Sequence, residues 1–118
     1  MTIENAQSVD GAASSNENPQ VCREKSIQNF ARFFKAIGDE KRLTIVSMIA
    51  AEPGICSSTI LKELGISQPT LSHHMSTLIN SGAVCAQRRG KWMHHTLNKD
   101  NMRLAKEYLQ DFEAAAQA

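Results

Sequence analysis

Histidines, hydroxyls and a glutamine crowd one short stretch of the chain, SQPTLSHH at residues 67–74. Side chains of these types can bind a metal ion, take part in catalysis or hydrogen-bond to a partner molecule. Catalysis requires a nucleophile, a base and an orienting group that converge in a cleft, and neighbouring residues on one convex helix do not converge. The stretch is therefore more typical of a helix surface that contacts another molecule.

Three cysteines, Cys22, Cys56 and Cys85, form a second set of chemically capable residues. Their odd number and scattered positions indicate reduced thiols available for binding or sensing, not a disulfide framework. Cys56 is predicted at a helix N-terminus, where the helix dipole favours the thiolate. Cys85 begins a predicted strand among alanine and valine, a position that favours a small core residue over a ligand.

Composition indicates one globular domain. The chain has 118 residues, of which 42% are hydrophobic, an ordinary fraction for such a fold. No apolar run reaches the roughly 20 residues of a membrane-spanning helix, and the N-terminus lacks the basic start and apolar stretch of a secretory signal. We therefore expect a cytoplasmic protein.

Charge is unevenly distributed behind the net value of +1. Three of the 12 acidic residues lie in the first 21 positions, which hold no basic residue, so the rest of the chain carries 13 basic against nine acidic side chains. From residue 67 to residue 97 the only formal charges are Arg88, Arg89 and Lys91. This local positive surface favours an anionic partner.

Residues 1–21 are predicted to be a disordered N-terminal tail, followed by a domain at residues 22–118. The tail has too little apolar surface to offset the entropy of ordering. Helical spacing of apolar residues then predicts a first helix that ends at Gly38 and a second helix that Asp39 caps. The apolar face expected on the second helix consists of Leu43, Val46, Ile49 and Ala50.

A helix-turn-helix is predicted next. A short third helix at about residues 58–64 ends in a glycine turn, and Ser67 caps a fourth helix that ends at Gly82. Two strands joined by a turn at residues 88–90 follow, and a last helix begins at about Lys99. The predicted fold class is mostly α with a small β-hairpin (α+β), a winged helix-turn-helix of five helices and a two-stranded wing.

The outer face of the fourth helix suits the major groove of DNA. With Leu71, Met75, Leu78 and Ile79 turned inward, short neutral side chains that donate or accept hydrogen bonds point outward. A solvated helix face usually carries Glu and Lys, and this one carries neither. The basic hairpin would contact phosphates. The predicted DNA-binding residues are Ser67, Gln68, Thr70, Ser72, His73, Ser76, Arg88, Arg89 and Lys91.

The other three histidines, His74, His94 and His95, are not predicted to contact DNA. His74 is expected to be partly buried and hydrogen-bonded, because it lies nearer the core edge than His73. His94 and His95 are strand neighbours that point to opposite faces, so they cannot bind one ion together.

The apolar faces of the first and last helices are larger than one small domain can bury in its own core. We therefore expect a homodimer through these helices, which predicts an imperfectly palindromic operator.

Three segments, FFKAIGDEKRLTIVSMIA, LKELGISQPTLSHHMSTLINSGAV and RRGKWMHHTLNKD, resemble in order and spacing the signature segments of the ArsR/SmtB family of winged-helix repressors. The resemblance covers roughly residues 27–112. It implies a homodimeric transcriptional repressor, not an enzyme, that leaves a double-stranded DNA operator when a metal, metalloid or other signal binds.

The resemblance also implies where a signal would bind. The family's zinc-type site on the last helix uses histidines, and this helix has none. Cys56 occupies the family's other ligand region, although Ser58 replaces the second cysteine of its Cys-x-Cys pair, and Cys22 resembles the N-terminal cysteine that completes such sites. The implied metal ligands are thus Cys22 and Cys56, with Cys85 as a candidate third. The implied inducer is As(III) or Sb(III), and DNA binding requires no cofactor.

Alternatives remain open at this point. A redox switch, in which Cys22 and Cys56 form a disulfide, needs the same proximity. A family member without a direct metal inducer would use its cysteines structurally. An adaptor that does not bind DNA would carry an apolar or acidic recognition helix, and a cysteine enzyme would need a histidine and an acid around a thiol.

Overall fold

The computed structural model describes the backbone of residues 19–117 and the side chains of residues 27–117. In chain order the elements are α1 (Pro19–Ile37), α2 (Glu40–Ala51), β1 (Ile55–Cys56), α3 (Ser57–Leu64), α4 (Gln68–Asn80), β2 (Val84–Arg89), β3 (Trp92–Leu97) and α5 (Lys99–Ala116). The predicted winged helix is confirmed, with α3 and α4 as the helix-turn-helix. The predicted tail lies outside the described residues except for residues 19–21, which open α1. Within residues 19–117 no helix is long and apolar enough to cross a membrane.

The helix caps expected from the sequence position the helix-turn-helix. The Asp39 side chain accepts a hydrogen bond from the backbone N–H of Arg42 at the start of α2. Ser67 accepts one from the N–H of Thr70 at the start of α4. Gly65 ends α3 in the left-handed region, at φ 64°, where a residue without Cβ is unstrained. The chain can therefore turn directly from α3 into α4.

The core lies between the helices and the inner face of the sheet. The inward orientation of Leu71, Met75 and Leu78 on α4 is confirmed, whereas Ile79 is 37% exposed. On α2 the expected apolar face was partly wrong, because Leu43 is 51% exposed and Ile45 is buried. Two positions along a helix are about 200° apart, so those two side chains cannot both face inward. The largest fully buried apolar side chains are Phe33, Ile45, Ile49, Ile60, Leu71 and Leu78.

The sheet has three strands in the order β1-β3-β2, one more than the predicted two-stranded wing. The additional strand, β1, pairs antiparallel with β3 through Ile55 opposite His95 and Cys56 opposite His94. Two residues are too few to show a strand periodicity, so the sequence pattern gave no sign of this pairing. As a result, the start of α3 is joined directly to the wing.

The wing turn is tighter than the three residues expected. Arg88 and Arg89 belong to β2, where they pair with Met93 and Trp92 of β3. Gly90 makes the turn at φ 66°, which favours glycine. Because successive strand residues point to opposite faces, the two arginines project from opposite sides of the wing.

Candidate nucleic-acid interface

One face of α4 presents the predicted polar set to solvent. Leu71, Met75 and Leu78 are buried on the opposite face. The predicted contact residues at the cap and on the outer face of α4 are all exposed and carry no formal charge. They are Ser67, Gln68, Thr70, Ser72, His73 and Ser76. The Ser67 hydroxyl donates to Thr70 Oγ1 at 2.8 Å, so these two side chains are oriented together at the helix N-terminus. That end of a helix attracts phosphate through its free N–H groups and its dipole.

Arg42 joins the recognition helix α4 to the rest of the domain. Its Nε donates to the carbonyl of Ala36 at 2.6 Å and its Nη1 to Nδ1 of His74 at 3.2 Å. A guanidinium only donates, so Nδ1 of His74 accepts. The backbone N–H of Arg42 also lowers the pKa of the Asp39 carboxyl by its hydrogen bond. The partly buried, hydrogen-bonded role expected for His74 is confirmed, whereas sequence reasoning missed Arg42, whose cationic type gave no sign of a partner in α4.

The wing tip carries the cationic residues together with an aromatic ring. Arg88, Arg89 and Lys91 are all exposed. Trp92 is 51% exposed, and the Lys91 ammonium lies 5.8 Å from the centroid of its ring. The sequence contains a single tryptophan. Its position directly after Lys91 in a predicted hairpin was a signal for a contact residue, and the predicted set did not include it. The tip can therefore contact a sugar-phosphate backbone through charge and through an exposed apolar surface.

Cys56 is the N-terminal cap residue of α3 and is partly exposed. The Ser58 hydroxyl donates to its sulfur at 3.3 Å, and this hydrogen bond is the main cause of the lowered pKa of the thiol. Ser58, which replaces a family cysteine, thus supports the remaining thiolate instead of supplying a second one. The side chain of Cys22 lies outside the described residues, so its pairing with Cys56 stays a prediction.

Cys85 is exposed, so the expectation of a core residue was wrong. Strand alternation explains the error, because the preceding Val84 takes the inward position. Partial burial still raises the pKa of the Cys85 thiol. Cys85 lies on β2, where it pairs with Thr96 of β3, and β3 separates it from Cys56 on β1. The structure therefore does not place the two thiols next to each other.

The histidines of β3 face opposite sides, as expected. His95 is 3% exposed, its Nε2 lies 2.7 Å from the Ser57 hydroxyl, and its Nδ1 has no hydrogen-bond partner among residues 27–117. Burial, with a smaller effect from the charge of His94, lowers the pKa of His95. Nδ1 of His94 donates to the carbonyl of Gly54 at 2.8 Å. In the part of the chain with described side chains, no three His, Cys, Asp or Glu residues are grouped to hold a metal ion.

The α1–α5 face is apolar and exposed. Phe30 stacks on Tyr108 with ring centroids 4.3 Å apart, which packs the two helices together. Beside this stack Ile27, Leu109 and Phe112 are 53%, 51% and 57% exposed. Large apolar side chains concentrated on one face are typical of a surface that another protein covers.

Comparison with known proteins relates this arrangement to a family. The family model described as bacterial regulatory protein, arsR family, matches residues 39–84. An uncharacterized HTH-type transcriptional regulator of Methanocaldococcus jannaschii is 37% identical over 62% of this chain and 82% of its own length. The arsenical resistance operon repressor of Escherichia coli is 34% identical over 57% of each chain, so the match spans little more than half of that relative. A homodimeric winged helix-turn-helix DNA-binding domain of Mycobacterium bovis has a TM-score of 0.63 at 21% identity, covering 85% of this chain and 90% of its own.

Proposed function

The chain belongs to the ArsR family of DNA-binding transcriptional regulators, and on that premise we propose that it represses transcription as a homodimer bound to a palindromic operator. The observation that carries the proposal is the uncharged, exposed face of α4 beside a cationic wing. Short side chains such as Gln68 and Ser72 can read base edges in the major groove, while Arg89 and Lys91 contact phosphates. No acidic side chain from residue 67 to residue 97 opposes the approach of DNA.

The homodimer is proposed on the apolar α1–α5 face. Burying Ile27, Leu109 and Phe112 against the same residues of a second protomer would remove their exposed apolar surface from water. Half-sites on DNA lie about 34 Å apart, one helical turn, so a two-fold axis on this face has to hold the two α4 helices at that separation. Phe112→Asp should therefore weaken dimerisation and operator binding together, as measured by analytical ultracentrifugation and anisotropy. An exposed face not used for assembly would tolerate the aspartate in both measurements.

The inducer is proposed to be a soft thiophilic ligand held by Cys22 and Cys56, with trivalent arsenic or antimony first. Support comes from the lowered pKa of the Cys56 thiol, which increases the fraction of thiolate. The relative from Escherichia coli, an arsenical resistance operon repressor, makes this chemistry the first to test. The ligand would release DNA only if it bound the dimer conformation that cannot bind DNA more tightly than the conformation that binds DNA.

Fluorescence anisotropy tests both proposals in one assay. A labelled duplex from the DNA upstream of the gene is bound by reduced protein and then titrated separately with arsenite, antimonite, cadmium, zinc and peroxide. We expect arsenite or antimonite to release the DNA, and Cys22→Ser and Cys56→Ser to abolish the release. Cys85→Ser, the matched thiol control, should respond like wild type.

Other outcomes decide between the alternatives. Release by peroxide alone would identify a disulfide switch and remove the metalloid. Tight binding that no addition changes would leave a repressor whose cysteines are structural. The absence of binding to any palindrome in that DNA would contradict the repressor proposal itself.

A further inference from the structure

We propose that Trp92 is a DNA-contact residue of the wing, and that its indole packs on the deoxyribose edges of the minor groove beside the major groove that α4 occupies. This role rests on the proposed function. It adds to that function a contact without charge and a property of the operator, which should carry A·T base pairs where the indole lies.

The wing tip presents Trp92 to solvent. Gly90 and Lys91 alone connect β2 to β3, and Gly90 takes the positive φ that favours such a short turn. Trp92 is the first residue of β3 and is 51% exposed. It belongs neither to the core nor to the apolar α1–α5 face proposed for the dimer. A large apolar ring at the end of a hairpin therefore has no role in folding or in the proposed dimer that accounts for it.

Cations flank the indole. Arg89 is the direct partner of Trp92 across the strand pair, so both side chains project to the same face of the wing. The Lys91 ammonium lies 5.8 Å from the centroid of the ring, and no acidic side chain lies between residues 67 and 97. The DNA backbone, in which apolar sugars alternate with phosphates, complements an apolar ring between cations. The charges thus favour DNA as the occupant over a protein surface.

The length of the wing decides which groove the indole can reach. The N–H of Ala83 donates to the carbonyl of Leu78 at 3.1 Å, which holds the start of β2 beside the end of α4. From there the six residues of β2 carry the tip about 17 Å outward. The major groove is only about 12 Å wide. With α4 in that groove, the tip passes its edge and meets the sugars that border the adjacent minor groove.

Contact in the minor groove makes the base sequence matter beneath the wing. A G·C pair projects the guanine N2 amino group into this groove, whereas an A·T pair shows only acceptors. Runs of A·T pairs also narrow the groove and strengthen its negative potential, which attracts Arg89 and Lys91. A narrow groove brings the sugar edges of both strands closer to a flat ring between them. We therefore expect A·T pairs outside each half-site.

The intrinsic fluorescence of the wild-type protein tests the contact without any substitution. Trp92 is the only tryptophan in the sequence, so all tryptophan emission reports the wing tip. Saturating operator duplex should shift the emission and reduce quenching by acrylamide, a neutral quencher that DNA does not repel, about twofold as the duplex covers the indole. Unchanged emission and quenching in a protein that binds the duplex would overturn the role of Trp92.

Salt dependence separates the indole from the cations beside it. Trp92→Ala should weaken operator binding about tenfold through lost apolar contact. The slope of log affinity against log salt should stay unchanged, because an indole neutralises no phosphate. Trp92→Phe should lose less, and the matched control Thr96→Ala, an exposed residue on the same face of β3, should bind like wild type. A slope in Trp92→Ala reduced like that of Arg89→Ala would show that the ring only positions a cation, and would overturn direct contact.

Substitution in the DNA tests the groove. Duplexes with G·C or inosine–cytosine pairs outside the half-sites are identical in the major groove and differ in the minor groove by the N2 amino group. Wild type should bind the inosine duplex more tightly, and Trp92→Ala should discriminate less between the two. Equal affinities of wild type for both duplexes would overturn the placement in the minor groove. Failure of wild type to bind any DNA would contradict the repressor itself, an outcome distinct from binding with an unaffected indole.

Discussion

Replacing Arg42 with methionine tests how the recognition helix is held. The substitution keeps an unbranched apolar side chain of similar length and removes the guanidinium. Two hydrogen bonds are lost, one to the carbonyl of Ala36 at 2.6 Å and one to Nδ1 of His74 at 3.2 Å. Ala36 lies in the last turn of α1, where carbonyls have no partner within the helix. Arg42 therefore acts as a side-chain cap for α1 and a link to α4.

The expected loss can be worked from the surroundings of each bond. A hydrogen bond from a charged group contributes about 1.5–3 kcal/mol when its partner cannot turn to water. Ala36 is 2% exposed, so its carbonyl would be left nearly without a partner. His74 is only partly buried, and water can replace the arginine there at small cost. We expect Arg42→Met to lower the free energy of unfolding by about 2–3 kcal/mol.

Urea unfolding at one fixed protein concentration measures this loss, because the stability of the proposed dimer would depend on concentration. Arg42→Lys should lose about half as much, since one ammonium cannot reach both acceptors in the geometry of a planar fork. The control is Lys41→Met, an exposed neighbour on α2, which should change the free energy by less than about 0.5 kcal/mol. Arg42→Met within that same margin would refute the capping role. In a cycle with His74→Phe, a coupling energy near zero would remove the link to α4 while leaving the cap.

Three further predictions concern the wing and the titratable groups. Arg88→Ala and Arg89→Ala should each reduce the slope of log affinity against log salt by about 0.9 if each arginine contacts one phosphate; an unchanged slope in the anisotropy assay would exclude that arginine from the interface. The pKa of His95 is lowered from 6.5 in the folded protein. Below that pH the unfolded chain binds more protons than the folded chain, so the free energy of unfolding should decline as the pH falls. Urea unfolding should show a smaller decline for His95→Gln than for wild type, and equal declines would contradict the assignment to His95. Iodoacetamide at neutral pH should alkylate Cys56 faster than Cys85, because their thiol pKa values are shifted in opposite directions, and mass spectrometry showing the reverse order would contradict it.

The helix-turn-helix could be predicted from the sequence because its signals are local. Asp39 and Ser67 cap helices whose start is visible in a few residues, and the 3.6-residue period of α4 places Leu71 inward without knowledge of the fold. Which face of α2 packs against the core was harder to predict, for a physical reason. An apolar side chain such as Leu43 stands on a helix that is apolar on several sides, so periodicity does not select which side packs.

The features of the candidate site that could not be predicted depend on contacts between distant segments. Cys56 and His94 are 38 positions apart, and only the two-residue strand β1 brings them together. Arg42 and His74 are 32 positions apart and meet only when α2 packs against α4. Neither pairing leaves a periodic pattern or a motif in the chain. Sequence reasoning therefore identified the exposed polar residues that are proposed to contact DNA, and it missed the pairings of Arg42 with His74 and of Cys56 with His94.

The pairing of β1 with β3 connects the start of α3, which carries Cys56, to the wing, which carries Lys91. The start of α3 is hydrogen-bonded to β3, and β3 continues from the wing turn that bears Lys91. A ligand bound at Cys56, as proposed above, would therefore act on the wing through the pairing of β1 with β3. Because α4 is separately anchored by Arg42 to the α1–α2 turn, the wing is the part of the interface that such a ligand can displace with the least disturbance of the core. Weakened phosphate contacts would then precede any loss of base recognition, and a ligand-bound dimer would lose affinity for all sequences before it loses preference for its own operator.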